Sequence, residues 1–210
     1  MKIIYAYDAL CGWCYGFSPV MEQFYQDHRS DVSFEVVSGG MITGSRIGPI
    51  GEVASYIRWA YKEVEQATGV TFGKGFLEGV LEEGTTIFTS VPLGIALSVF
   101  KSHRPEEAVL FAGALQKAVY YEGLAPQDTA AYAPLAEAFG LDGKTFVAQM
   151  QQPEFKALAE ADFQRSQQLG VSGFPTVFAQ AEGNYHRLAS GYTRLADLEG
   201  RFATLTQNIH

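Results

Sequence analysis

The sequence contains few cysteines, few basic residues and no long apolar segment. Only two of its 210 residues are cysteine, and 15 Lys and Arg stand against 23 Asp and Glu, for a net charge of −8. Nucleic acids and anionic membranes bind clustered basic residues, so this charge balance argues against both as partners. No run of about eighteen apolar residues predicts a transmembrane helix. No signal-peptide pattern is visible either, and we expect a cytoplasmic protein.

The sequence does contain enough apolar material for a full core. Hydrophobic residues make up 47% of the chain and aromatic residues 13%, so disorder is not expected. At this length we expect one domain, or one domain that carries a large insertion.

Both cysteines lie at the junction of a predicted strand and a predicted helix. Residues 2–7 form a β-branched and aromatic run that is typical of a buried strand. After Cys14, apolar residues recur at helical spacing, so Cys11 precedes the first turn and Cys14 lies one turn inside. The free N–H groups and the dipole at a helix N-terminus favour a thiolate on Cys11, whereas Cys14 should keep its proton longer. Such a pair suits disulfide exchange, in which one thiol attacks and the other resolves the mixed disulfide.

Two other interpretations of the cysteine pair remain open at this point. A structural zinc site needs four ligands, but no second cysteine pair exists and the histidines (His28, His103, His186 and His210) show no metal-ligand spacing. A metal is therefore not expected. Alternatively, both cysteines could be inert core residues, although their position at a strand–helix junction favours a redox role.

The predicted strands fall at the two ends of the chain. Residues 31–38, 176–179 and 186–189 alternate in the manner of strands, and an amphipathic helix follows Thr193. Between about 45 and 170 only helical periodicity is evident, including a helix for which Ser90 is a plausible N-cap. Neither end can bury a sheet alone, so the two ends must pair. We therefore predict a discontinuous domain of residues 1–44 and 170–210, with an all-helical insertion at 45–169.

Three motifs give the chain a family resemblance. They are Tyr-Asp-x-x-Cys-x-x-Cys-Tyr-Gly at residues 7–16, Pro19 inside the first helix, and Val-Ser-Gly-Phe-Pro-Thr-Val-Phe at 171–178. With these motifs the chain resembles the DsbA-like branch of the thioredoxin superfamily, whose cytoplasmic members include FrnE-like proteins and predicted protein-disulfide isomerases. The resemblance implies an α/β, thioredoxin-like fold with a large helical insertion. It also implies that Pro175 is a cis-proline.

The resemblance further implies a thiol–disulfide oxidoreductase or isomerase that acts on protein or peptide substrates. Cys11 would be the nucleophile and Cys14 the resolving thiol, with Pro175 at the substrate groove. The backbone of Phe174 would then pair with an extended substrate. Trp13 either presents its indole to the substrate or packs on its own helix. No cofactor is expected besides the redox pair, while glutathione or a thioredoxin-type reductant could serve as co-substrate.

Asp8 has two possible roles and also affects the expected potential. Its carboxylate could raise the pKa of Cys11 or accept a proton from Cys14, or it could only cap the turn into the helix. Because Gly12 and Trp13 bring no positive charge, we expect the pKa of Cys11 to be only modestly lowered. The reduction potential should then lie near the reducing end of the dithiol range.

A glutathione-dependent activity is the main alternative to exchange. Members of the same fold, similar to 2-hydroxychromene-2-carboxylate isomerase or kappa-class glutathione transferase, carry serine where Cys11 stands and activate glutathione. A binding module, such as a peptide holdase that uses the helical insertion, is a third possibility. The substitution Cys11→Ser separates the three, since it should abolish only disulfide exchange.

Overall fold

A four-stranded sheet joins the two ends of the chain. The computed structural model describes residues 1–209, and its strands are β1 (Lys2–Tyr7), β2 (Ser33–Ser38), β3 (Gly48–Pro49), β4 (Ile87–Phe88), β5 (Thr176–Ala181) and β6 (Asn184–Ser190). The order in the main sheet is β2-β1-β5-β6. The strand β1 runs parallel to β2 and antiparallel to β5, and β6 pairs antiparallel with β5. The strand β1, from the first part of the chain, therefore pairs directly with β5, from the last part, as predicted.

Helices follow β1, fill the middle of the chain and end it. Their bounds are α1 (Gly12–His28), α2 (Ala54–Thr68), α3 (Leu81–Glu83), α4 (Ser90–His103), α5 (Ala108–Lys117), α6 (Ala133–Ala138), α7 (Gly143–Met150), α8 (Pro153–Gln168) and α9 (Leu195–Ile209). Two short π-helical segments, Gly75–Val80 and Ala118–Glu122, adjoin α3 and α5. The division of the chain into domains at residues 45 and 169 stays a prediction.

The predicted all-helical insertion contains one short exception. The strands β3 and β4 pair antiparallel, with Gly48 opposite Phe88 and Pro49 opposite Ile87. Each strand has two residues, too few to show the alternation by which a strand is recognised in a sequence. The pair brings the segment before α2 against the segment before α4.

The N-cap of α4 also differs from the prediction. Thr89, not Ser90, is the N-cap, and its hydroxyl accepts a hydrogen bond from the backbone N–H of Val91 at 3.3 Å. Either residue type serves as an N-cap. Ser90 is instead the first helical residue, and its hydroxyl is hydrogen-bonded elsewhere, beside the cysteines.

The helix α1 contains a proline and packs closely on α2. Pro19 lacks an N–H, so it cannot bond the carbonyl of Tyr15. The hydroxyl of Ser18 donates to that carbonyl at 2.8 Å instead. A Cβ at Gly16 would lie 2.8 Å from side-chain atoms of both Val64 and Thr68. The glycine therefore allows α1 and α2 to approach.

Polar contacts attach the insertion to the sheet. Lys101 of α4 donates to the carbonyl of Val36 in β2 at 2.9 Å and to Asp162 of α8 at 2.8 Å. The same Asp162 accepts from the backbone N–H of Ser38, and Arg165 pairs with Glu35 at 2.6 Å. Two insertion helices are thus held on the edge strand β2.

Candidate active site

The two cysteines lie side by side at the start of α1. Cys11 is the N-cap residue, with extended backbone angles, and Cys14 lies in the first turn. Both are free thiols, and the two cysteines are 3.7 Å apart. Cys14 is fully buried, whereas Cys11 keeps 8% of its surface exposed. The two side chains are hydrogen-bonded to each other, so the thiols are close enough to act as a pair in disulfide exchange.

The surroundings push the pKa values of the two thiols in opposite directions. The pKa of Cys11 is lowered, first by the hydrogen bond from the Cys14 side chain and then by backbone N–H groups of the first turn, against burial and the charge of Asp8. The pKa of Cys14 is raised well above its usual value, first by burial and then by Cys11. Cys11 is therefore the more easily deprotonated of the two thiols, and the roles of the two cysteines in exchange stay a prediction.

The segment around Pro175 lies against Cys11. The Cys11 thiol donates to the carbonyl of Phe174 at 3.5 Å, and the Phe174–Pro175 peptide bond is cis. The ring of Phe174 packs on Gly39, where any Cβ would collide with it. The carbonyl of Pro175 accepts from the backbone N–H of Gly191 at 2.8 Å. Residues from the two ends of the chain thus meet at one sulfur.

The position of Trp13 is compatible with both of its possible roles, contact with a substrate and packing within the protein. Its side chain is partly buried against the main core, and it also lines a cavity next to Cys11. The indole therefore packs on its surroundings and still presents surface where a substrate could bind.

Asp8 is a buried carboxylate surrounded by donors. It is 2% exposed, and its oxygens accept from the backbone N–H of Leu10 at 2.9 Å, from that of Met41 at 2.7 Å and from the Ser90 hydroxyl at 3.0 Å. Burial raises its pKa, and these hydrogen bonds act in the opposite direction. Asp8 thus shapes the turn before α1, and its charge also raises the pKa of both cysteines.

Three further side chains contribute to the site and were not identified in the sequence. Ser90 links Asp8 to the backbone N–H of Ile42, at 3.0 Å from each. Tyr120, in the second π-helical segment, donates to the carbonyl of Leu10 just before Cys11. The hydroxyl of Tyr5 is buried and has no hydrogen-bond partner among residues 1–209. The pKa of Tyr5 is raised, first by burial and then by the neighbouring Cys14. The strand β1 contains two tyrosines, Tyr5 and Tyr7, so the sequence alone does not distinguish Tyr5.

A cavity of about 280 Å³ opens beside Cys11, between the start of α1 and the helix α2. A larger open hollow, about 830 Å³, lies near Tyr25 and Arg29 at the other end of α1. A helix of this length spans about 25 Å, so that hollow is remote from the thiols. The cavity at Cys11 is therefore the candidate substrate site.

Two further features, a metal-binding cluster and a membrane-spanning helix, are not found among the described residues. Within residues 1–209, no three His, Cys, Asp or Glu side chains are grouped so that they could hold a metal ion. None of the helices described combines the length and apolar character that crossing a bilayer requires. His28 bonds Glu199 at the far end of α1, and His210 lies outside the described residues.

A family model described as the DSBA-like thioredoxin domain matches residues 97–203. A search of curated proteins finds no match. Among solved structures, a proposed protein disulfide isomerase from Nitrosomonas europaea is 26% identical, with a TM-score of 0.87 over 100% of this chain and 98% of that one. The cytosolic disulfide reductase DsbM from Pseudomonas aeruginosa is 26% identical, with a TM-score of 0.81 over 99% of this chain and 98% of that one.

A structure of DsbM with GSH has a TM-score of 0.78. A 2-hydroxychromene-2-carboxylate isomerase is 17% identical, with a TM-score of 0.70 over 99% of this chain and 97% of that one, and shows the fold alone. The comparisons confirm the predicted α/β, thioredoxin-like fold with a helical insertion.

Proposed function

The chain belongs to the DsbA-like thioredoxin domain family, and from this premise we propose that it reduces disulfide bonds in protein or peptide substrates. The observation that carries the proposal is the meeting of three groups at one place. The thiol of Cys11, with its lowered pKa, lies beside the protonated Cys14 and under the carbonyl of Phe174. An attacking thiolate, a resolving thiol and a backbone edge for the substrate are what exchange requires.

The reaction proceeds in two displacement steps. The Cys11 thiolate attacks one sulfur of the substrate disulfide, forms a mixed disulfide and releases the other substrate sulfur as a thiolate, which takes a proton. Cys14 then loses its proton and attacks the Cys11 sulfur, which releases the second substrate thiolate. Two electrons pass from the protein to the substrate, and a Cys11–Cys14 disulfide remains.

We assign Asp8 a part in the second step. Cys14 is fully buried and must lose its proton before it attacks. Asp8 is the acidic group that acts on both cysteines, and burial raises its pKa, which makes its carboxylate a better proton acceptor. Trp13, Phe174 and Pro175 border the place where the substrate binds. No cofactor besides the redox pair is needed.

Regeneration of the dithiol requires a reductant such as glutathione or a thioredoxin-type protein. A 26% identical relative, DsbM, is named a cytosolic disulfide reductase and has been solved with GSH. This relative supports a cytoplasmic location for the chain, and so does the small number of cysteines, two in all, because thiols are kept reduced in the cytoplasm. If a different thiolate of the substrate attacked the mixed disulfide in place of Cys14, it would form a new substrate disulfide and release the Cys11 thiolate, which is isomerisation without net oxidation or reduction.

Trapping of the mixed disulfide tests the assignment of the two thiols. With Cys14→Ser, the substrate should stay covalently bound to Cys11, because no thiol resolves the intermediate. With Cys11→Ser, neither adduct nor exchange should be detected by mass spectrometry. If Cys11→Ser retained a glutathione-dependent isomerase or transferase activity, the alternative function would replace this proposal. Retention of holdase activity alone would indicate a binding module.

The direction of the reaction follows from the charges around Cys11. Gly12 and Trp13 bring no positive charge, and Asp8 opposes the thiolate. We therefore expect a reduction potential nearer to that of thioredoxin, about −270 mV, than to that of DsbA, about −120 mV. Equilibration in glutathione buffers, with alkylation of both sulfurs as the readout, measures it. A potential near that of DsbA would contradict the reductase direction.

A further inference from the structure

The cavity beside Cys11 is lined without a single charged side chain. Its walls come from the start of α1 (Leu10, Trp13), from the loop after β2 (Met41, Ile42) and from one face of α2 (Ile57, Val64). At about 280 Å³ it is close to the lower end of the range for small-molecule sites. It can hold one large apolar group next to the reactive sulfur, which lies in its wall.

The side-chain polar atoms that line the cavity belong to neutral residues, namely tyrosines and Trp13. The Tyr120 hydroxyl is already used by the carbonyl of Leu10, and the ring of Tyr61 packs on Phe72 with centroids 5.6 Å apart. An ammonium or carboxylate group placed here would lose its hydration and find no partner of opposite charge, which is costly. Glutathione carries such charged groups at both ends, so it can reach Cys11 only with those ends outside the cavity.

Apolar surface continues from the cavity along the outer side of α2. Val53 and Tyr56 line the cavity and are 49% and 63% exposed, and Trp59 beyond them is 61% exposed. The rings of Tyr56 and Trp59 are paired, with centroids 6.3 Å apart. A small aromatic molecule inside the cavity would leave this surface bare. A peptide that enters with one side chain would cover it, and exposed apolar patches of this kind mark interaction sites.

We propose that this cavity binds an aromatic or aliphatic side chain that flanks the reacting cysteine of a peptide substrate. The inference rests on the proposed exchange activity and names the substrate class of that site. The reacting cysteine of the substrate lies next to Cys11 and the Phe174 carbonyl. The apolar residue that flanks this cysteine in the substrate places its side chain in the cavity between α1 and α2. The cavity selects peptide substrates by the apolar area of the side chain that it buries and not by charge.

Two neutral peptides test the preference. Each peptide contains one cysteine, flanked by Phe in one and by Ser in the other, and is presented to the reduced wild-type protein as its disulfide-linked dimer. Burial of the Phe side chain should make reduction of the Phe peptide about tenfold faster or more. Glutathione disulfide and a small aromatic disulfide without a peptide backbone serve as comparison substrates.

Two tryptophan variants of α2 show whether the cavity is responsible. Ala60 lines the cavity, and Ala60→Trp fills it, so the ratio of the two peptide rates should fall towards one. Ala67 is exposed on the same helix and does not line this cavity. Ala67→Trp introduces the same side chain and should leave the ratio at the wild-type value.

The outcomes separate the two proposals. If wild type reduces both peptides at equal rates, or if glutathione disulfide or the small aromatic disulfide reacts as fast as the Phe peptide, the substrate class is wrong and the exchange activity stands. If no disulfide is reduced, the proposed function fails and this inference fails with it. A wild-type preference that both tryptophan variants keep would place the binding site elsewhere.

Discussion

At the scale of single residues, the two thiols couple the stability of the reduced protein to pH with opposite signs. The fold lowers the pKa of Cys11 from its ordinary value of 9.0, so the stabilisation from Cys11 is complete above that value and is lost as pH falls through the folded-state pKa. The fold raises the pKa of Cys14, so its contribution is complete below 9.0 and is lost at higher pH.

We therefore expect the difference in free energy of unfolding, reduced wild type minus Cys11→Ser, to become more positive as pH rises from about 6 to about 9. Denaturant unfolding of both proteins under a phosphine reductant measures the difference at each pH. A gap that stays constant or narrows over this range would show that the fold does not favour the Cys11 thiolate.

Tyr5 offers a second test at this scale, because no group within residues 1–209 meets hydrogen-bond geometry with its buried hydroxyl, which adjoins Cys14. The hydroxyl can donate to the Cys14 thiolate that forms during resolution. Tyr5→Phe should therefore lengthen the life of the mixed disulfide, and the free energy of unfolding should stay the same or rise by about 1 kcal/mol. Quenched-flow alkylation and denaturant unfolding give the two values.

Tyr132→Phe is the matched control for Tyr5→Phe. The hydroxyl of Tyr132 is buried but donates to the carbonyl of Pro126 at 2.8 Å, so its removal should cost about 1–3 kcal/mol of stability. Its effect on the mixed disulfide should be nil. A comparable loss of stability in Tyr5→Phe would mean that the Tyr5 hydroxyl does have a partner.

At the scale of elements, the segment before β5 is positioned by contact with a glycine after β2. The ring of Phe174 occupies the place that a Cβ on Gly39 would take. Gly39→Ala should displace Phe174 from Cys11, slow the reduction of peptide disulfides and destabilise the protein by about 1–3 kcal/mol. Stopped-flow assays and thermal unfolding measure both effects.

Gly173→Ala is the control, since it adds the same methyl group next to Phe174 in the chain, where no atom of residues 1–209 outside the adjacent residues lies within 4 Å. We expect a change in stability within about 0.5 kcal/mol and an unaltered rate. If Gly39→Ala behaved in the same way, the contact between Gly39 and Phe174 would not be what positions the segment.

Regular elements could be predicted from the sequence because their hydrophobic period is long enough to detect. The helix that begins after Cys11 shows helical spacing of its apolar residues, whereas the first strand was recognisable from its β-branched and aromatic composition. The pair β3–β4 could not be predicted from the sequence, because a strand of two residues is too short to show a hydrophobic period. The role of Ser90 was assigned to helix capping because a cap is local, whereas its bonds to Asp8 and Ile42 depend on tertiary contacts.

At the scale of the whole molecule, the insertion is tied to the sheet by a charged group that is largely buried. The Lys101 and Asp162 side chains are 24% and 13% exposed. Lys101→Met would remove the donor shared by Asp162 and the carbonyl of Val36. Asp162 would keep the backbone N–H of Ser38 but lose its counter-ion, and we expect a loss of about 2–4 kcal/mol. Denaturant unfolding measures the loss.

Lys156→Met serves as the control, because Lys156 and Glu160 form an ion pair at 3.8 Å with both side chains more than half exposed. Its effect should lie within about 0.5 kcal/mol. Equal effects of the two substitutions would show that Lys101 is not what holds α4 and α8 on β2.

The joining of the two chain ends at the site was predictable only in part. That the two ends must pair follows from the strands alone, because neither end can cover a sheet by itself. The prediction that Pro175 lies next to Cys11 was based on the motif resemblance, because no local pattern specifies a contact between positions so far apart in the sequence. The apolar cavity was not predicted, because α1, the loop after β2 and α2 form it together.

The pairing of β1 with β5 has a consequence for biosynthesis. Cys11 is synthesised before the whole insertion, whereas Phe174 and Pro175 follow only after the insertion has been made. Until then β1 has no strand on its β5 side, and the first thiol has no carbonyl above it. A nascent or prematurely terminated chain would therefore carry Cys11 without the Phe174–Pro175 segment that lies against it in the complete fold.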